Sequence, residues 1–221
     1  MKGRTVLVTG ANSGIGRATA IELARRGARV HIACRSPDRA RPVLDHISAT
    51  YGPQAASFLA LDLSDLASVR AAAAAYVATG EPLHVLIDNA GVAGQRGVTS
   101  DGFEVAFGVN HLGHFLFTTL LLDTLVASAP ARVVVVASDA HYQAPGVDFD
   151  AVRRRTSSLT ALKEYGVSKL CNVLFAQELA RRTSTGGGTG PVTTYALHPG
   201  VIASDIWRRL PWPLEPLARC S

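Results

Sequence analysis

Apolar residues in this chain come in short runs separated by amphipathic stretches. Thr5 to Val8, Arg29 to Cys34, Ala56 to Ala60, Leu83 to Ile87, Ala131 to Ala137 and Val192 to His198 each read as a buried strand, most strongly at the four consecutive valines 133–136. Between them, helical spacing predicts a helix after a glycine turn at 9–16, where Ile15, Thr19, Leu23 and Ala24 share a face, and Gly27-Ala28 stops it. Further helices are predicted over Pro37 to Tyr51, Ser64 to Ala78 with Ser64 as N-cap, Asp101 to Val126, and Leu162 to Arg182. Strand and helix alternating in this way predict an α/β fold with a parallel sheet. Polar or glycine-rich connections fall at 92–100, 139–159 and Thr183 to Gly190.

Composition narrows the class. With 221 residues, 48% of them hydrophobic, one sizeable core and a single domain over 1–221 are expected. The net charge is +5 and the isoelectric point about 9.4, but the arginines are scattered in small clusters such as 153–155 and 181–182, which points to solvated surface and not to nucleic acid. Cys34, Cys171 and Cys220 form no C-x-x-C pair, so no disulfide framework or zinc site is expected, and a reducing compartment fits them. No apolar run approaches the roughly 20 residues of a membrane span, and the first strand begins almost at Met1, so the expectation is a soluble, cytoplasmic chain without an anchor.

The candidate chemistry starts at Thr9-Gly10-Ala11-Asn12-Ser13-Gly14-Ile15-Gly16, between the first strand and the first helix. Free amides and the positive dipole end at such a helix start suit a pyrophosphate, and glycines let a ligand approach the backbone. Ala33-Cys34-Arg35 ends the second strand without the acid that would favour NAD, and the Arg35 guanidinium suits a 2′-phosphate, so NADP(H) is expected over NAD(H). Asp62 either accepts from an adenine amino group or helps start the next helix. Asp88-Asn89-Ala90-Gly91 closes the fourth strand where an open α/β sheet admits ligand, and Ser138 ends the valine strand. His111 and His114 lie three apart without a third ligand at matching spacing, so packing or exposure is expected of them, not metal binding. Tyr165 and Lys169, four apart on a helix, share a face, and an adjacent ammonium would favour the phenolate of a side chain that otherwise titrates near about 10.

Taken together, the glycine turn, Asn89-Ala90-Gly91, Asn110, Ser138, Tyr165-x-x-x-Lys169 and Pro199-Gly200 occur in the order of the short-chain dehydrogenase/reductase family, which the chain resembles from Thr5 to about Ser204. The resemblance implies a Rossmann-like doubly wound parallel sheet. It also implies that Tyr165 exchanges the proton with the substrate oxygen, Ser138 orients that oxygen, Lys169 binds the nicotinamide ribose and tunes Tyr165, and Asn110 holds a water in the proton relay. Gly10, Ser13, Gly14, Ile15 and Gly16 would surround the cofactor phosphates and adenosine, with Asn89 at the adenosine ribose. Pro199 and Gly200 would border the site, Val201 and Ile202 would lie near the nicotinamide amide, and Ser204 stands where relatives often have a threonine on the cofactor.

Ala33-Cys34-Arg35-Ser36, the long stretch from Ser138 to Tyr165 and Leu197-His198-Pro199-Gly200-Val201 look most like the retinol dehydrogenase branch, implying a lipophilic alcohol or carbonyl substrate and a metal-free hydride transfer. A homodimer through helices 101–126 and 162–182 is implied as well. Asp88 departs from the asparagine of many relatives, with altered hydrogen bonding of its turn expected. Residues 201–221 read as a shortened substrate-side tail, so six strands are expected and the family's seventh is not. The alternative reading of that tail is a truncated nucleotide-binding form with little turnover, acting as an interaction or regulatory module.

Overall fold

The computed structural model describes residues 1–184 and 190–200. Six strands form one sheet in the order β3-β2-β1-β4-β5-β6, every neighbouring pair parallel: β1 Thr5–Thr9, β2 Arg29–Cys34, β3 Ala56–Ala60, β4 Val85–Asp88, β5 Ala131–Val136 and β6 Val192–Leu197. Strand order reverses between β1 and β4, which leaves a crevice at their carboxyl ends. This is the doubly wound sheet the sequence implies.

Burial on both faces follows from the two-residue period of a strand. Val6, Val8, Val30 and Ile32 pack against Ala20, Ala24, Ala40, Val43 and Ile47 on helices α1 (Gly14–Arg25) and α2 (Pro37–Tyr51). Leu7, Leu86, Val133 and Val135 point the other way, onto Tyr76 of α3 (Leu66–Ala78), Phe117 and Phe175. In the valine run Val133, Val135 and Val136 are buried, and Val134 is partly buried beside the exposed Arg132.

Three predicted helices differ in detail. Helix α3 begins at Leu66, capped by Asp65, whose carboxylate accepts from Ala67 N at 2.8 Å; Ser64 instead donates to Asp62 Oδ1 at 2.6 Å. The single helix predicted over Asp101 to Val126 is four pieces: α4 (Val105–Phe107), a π-turn (Gly108–Leu112), α5 (Gly113–Leu120) and α6 (Leu122–Ala127). Asp101 serves another helix, accepting from Leu66 N at 2.9 Å, and Glu104 caps α4 through Phe107 N. The π-turn carries Asn110, whose tertiary hydrogen bonds outweigh regular winding. Helix α7 (Leu162–Thr183) runs one residue past its expected end, and two 3₁₀ turns, Asp139–Gln143 and Ala151–Arg153, interrupt the predicted polar loop.

Phe117 is fully buried between the sheet and α3. Phe117→Ala is expected to cost about 3 to 5 kcal/mol, read as a lower denaturant midpoint at constant m-value.

Candidate active site

A cleft of about 740 Å³ opens at the carboxyl ends of the strands and is lined by Gly10, Ser13, Gly14, Ile15 and Gly16 of the first turn, by Arg35 and Asp62, and by Asn89. Ser138, Tyr165, Lys169, Pro199 and Gly200 complete the same wall, so residues scattered over most of the chain converge there. Val201, Ile202 and Ser204 lie outside the described residues.

The first turn is built by close approach. Gly10 has φ +68°, and a Cβ there would come within 2.9 Å of Ala90 Cα; one on Gly16 would come within 2.5 Å of Asn89 Nδ2 and 2.6 Å of the Gly10 carbonyl. Asn89 Nδ2 donates to Thr9 O at 2.8 Å, and the Thr9 hydroxyl oxygen accepts from the amides of Asn89 and Ala90, both at 2.9 Å. Ser13 caps α1 in extended backbone without a side-chain bond, and no acid stands in the first turn. The opening amides are thus left for an anion.

At the second strand end, Arg35 is largely exposed, its Nη1 3.9 Å from Asp62 Oδ2. Asp62 Oδ1 accepts from the amide and hydroxyl of Ser64, so Asp62 organises the turn before α3 while standing on the cleft wall. Arg39, in the first turn of α2, lines the cleft beside Arg35 with its amide donated to Ser36 Oγ. It escaped the sequence reading, although its spacing from Arg35 was a usable signal.

The chemical end of the cleft is almost dry. Tyr165 is 4% exposed, and burial pushes its phenol up while a hydrogen bond with Ser138 draws it down. Lys169 is 2% exposed, donates to Val136 O at 2.7 Å, and is held down to about 8 by burial. Its Nζ lies 5.6 Å from the centre of the Tyr165 ring. The sequence led us to expect an ammonium that favours phenolate; here desolvation is the larger effect and raises the phenol above its ordinary value.

Asn110 stands behind this wall with no exposure. Its Oδ1 accepts from Val92 N at 2.8 Å, and its Nδ2 donates to Val92 O and to Ser168 Oγ. The Ser168 hydroxyl donates to Tyr165 O at 2.7 Å. Ser168 was invisible to sequence reasoning because only the fold turns a helical serine back onto its own helix. His114 is fully enclosed and engages Thr9 and Asn110, so packing is indeed its setting.

Asp88 is 1% exposed and does not bond the turn it starts; its Oδ2 accepts from Thr118 on α5 at 2.8 Å, and its Oδ1 has no partner among the described residues. Burial pushes the carboxyl up to about 7, against the lowering hydrogen bond from Thr118. A folded-state value above the ordinary one means stability present in acid and lost as pH rises through 7. Asp88→Asn should therefore match the parent below about pH 4 and exceed it in alkaline buffer by on the order of 4 kcal/mol, each pKa unit being worth about 1.4 kcal/mol. Chemical denaturation of both proteins across that pH range checks it.

Residues 4–149 match the model of the short chain dehydrogenase family. Human retinol dehydrogenase 11 is 48% identical over 209 residues, covering 94% of this chain and 64% of that protein. The chain thus spans less than two thirds of the length of the curated relatives it matches. Among solved structures, an uncharacterised protein of Mycobacterium paratuberculosis superposes with TM-score 0.73 at 41% identity, over 90% of this chain and 69% of that one. The Pseudomonas aeruginosa RhlG/NADP active-site complex gives 0.73 at 28% identity, over 94% and 76%. Sheet order, site layout and these likenesses agree: the chain belongs to the short-chain dehydrogenase family.

Proposed function

We propose that this chain is the cofactor-binding and catalytic part of an NADP(H)-dependent oxidoreductase acting on a lipophilic alcohol or carbonyl compound. The observation that carries the reading is the placement of a Ser138-bonded Tyr165 and a buried Lys169 in one cleft with Arg35 and Arg39. A phosphorylated dinucleotide fits the residues present: the glycine cradle around Gly10 and Gly16 would take the pyrophosphate, and the two guanidiniums the 2′-phosphate. Asn89 would stand at the adenosine ribose and Asp62 at the adenine. The similar RhlG structure is a complex with NADP, which supports the same choice.

When bound, the nicotinamide supplies or takes up the hydride at the substrate carbon. In the reductive direction Tyr165 gives its phenolic proton to the carbonyl oxygen, and Ser138 donates a hydrogen bond to that oxygen as its charge develops. Lys169, near the ring and free to leave the Val136 carbonyl for a ribose hydroxyl, stabilises the phenolate that proton transfer leaves behind. Asn110 contributes by holding the 91–92 turn and, through Ser168, the first turn of α7, with a water in the relay as its further role. The apolar substrate class is supported by the likeness to retinol dehydrogenase 11. A second copy of the chain is the proposed partner: Phe115 and Leu174 are 43% and 48% exposed on α5 and α7, which touch through the Phe115–Phe175 ring pair. Among the described residues no helix is long and apolar enough to cross a membrane.

Purified protein is expected to bind NADPH more tightly than NADH, and Arg35→Ala to raise the NADPH Kd by about ten-fold or more while leaving NADH within about three-fold. Equal affinity for both nucleotides overturns the cofactor assignment. With a panel of retinaldehyde, aliphatic aldehydes and quinones, Tyr165→Phe should lower kcat by at least about 100-fold with NADPH binding nearly retained. NADPH binding without turnover of any panel member would favour a nucleotide-binding module instead.

A further inference from the structure

His114 takes no part in the chemistry just described, yet it touches both the nucleotide turn and the turn behind the catalytic tyrosine. Its Nδ1 lies 3.0 Å from the Asn110 carbonyl and its Nε2 2.8 Å from Thr9 Oγ1. A carbonyl can only accept, so Nδ1 carries the proton. On the other side the Thr9 oxygen already accepts two amides, from Asn89 and Ala90. Both its lone pairs are spent, and it has a hydrogen to give; the His114 nitrogen at 2.8 Å is a nearer acceptor than the Ile87 carbonyl at 3.3 Å. A second proton on the ring would point an N–H at an oxygen with nothing left to accept it.

We propose that His114 is a positioning residue which, as the neutral Nδ1–H tautomer, couples the seat of the cofactor to the seat of the catalytic tyrosine. Amides of Asn89 and Ala90 bond Thr9, Thr9 bonds His114, and His114 bonds the Asn110 carbonyl in the π-turn. The Asn110 side chain continues to Ser168, whose hydroxyl holds the Tyr165 carbonyl. The chain of bonds has one direction throughout the histidine, set by donors and acceptors that cannot exchange roles. Burial, with Lys169 and His111 adding to it against the bond to Asn110, pushes the ring down to about 3, so it stays neutral over the working range. The Asn110 carbonyl lies in the π-turn, and the His114 ring reaches it from one turn further along the helix.

The two bonds of the ring can be separated by substitution. His114→Asn keeps a nitrogen near the Nδ1 position, able to donate to Asn110, and loses the acceptor for Thr9. His114→Gln reaches the Nε2 position with an amide oxygen and loses the donor to Asn110. The expected result is a split. His114→Asn raises the NADPH Kd by about five- to ten-fold with kcat within about three-fold, and His114→Gln lowers kcat by about ten-fold with Kd within about three-fold. Losses that run in parallel in the two variants, or no change in either, would overturn the proposal, because a purely packing role affects both quantities alike.

The kcat arm rests on the proposed oxidoreductase activity; the other arms do not. Nitrogen-15 spectra of the histidine rings in the wild-type protein should find His114 neutral, with the proton on Nδ1, from pH 5 to 8. Titration in that range, or a proton on Nε2, overturns the coupling whether or not the variants fold and whether or not any carbonyl is turned over. Absence of turnover by the wild-type protein, with the tautomer and Kd results as expected, defeats the activity reading alone.

Discussion

The meeting of two turns at the switch point of the sheet is the constraint on which the rest of the structure depends. The Thr9 hydroxyl accepts the amides of Asn89 and Ala90, while the Asn89 side chain returns a bond to the Thr9 carbonyl. This clamp leaves so little space that Gly10 and Gly16 tolerate no side chain. Everything needed for a phosphate seat follows: a positive φ at Gly10, a helix start stripped of side-chain caps, and amides open to the cleft. The glycines are a consequence of the clamp as much as of any ligand.

Behind the cleft, low dielectric decides the charge state of each buried group. Lys169 is drawn down to about 8, Asp88 pushed up to about 7 and His114 down to about 3, each with burial as the largest cause. All three shifts favour the neutral form, and that agreement has one physical source, the cost of desolvating charge away from a counter-ion. The arginines at 35 and 39 face solvent at the rim, while Lys169, at about 8, stays mostly an ammonium near neutral pH beside Tyr165. The rim is suited to recognising anionic groups, and the buried lysine to stabilising the phenolate that proton transfer leaves behind.

Most of the fold was legible because its signals are local and repeated. The helix at Pro37–Tyr51 and the strands at Arg29–Cys34 and Ala56–Ala60 have the expected bounds, since a cap, a proline or a change of hydrophobic period marks each edge. The long helix through Asn110 was misread because its interruption comes from tertiary bonds to Val92 and Ser168, and hydrophobic spacing carries no trace of them. The N-cap expected at Ser64 lies at Asp65, because the side chain of Asp62 claims the Ser64 hydroxyl.

The sequence by itself determined the alternation of strand and helix, the glycine turn, and the order of Asn110, Ser138, Tyr165 and Lys169, because residue type and spacing are properties of the chain. The tertiary structure decided what those residues are to one another. It turned the Asp88 carboxyl toward Thr118 and not its own turn, raised the Tyr165 phenol by burial despite a lysine four residues away, added Arg39 to the cleft, and placed His114 between Thr9 and Asn110. The physical reason is shared by all four. Hydrogen-bond direction and desolvation depend on neighbours brought in from distant parts of the chain, and a linear pattern holds no record of those neighbours until the chain has folded.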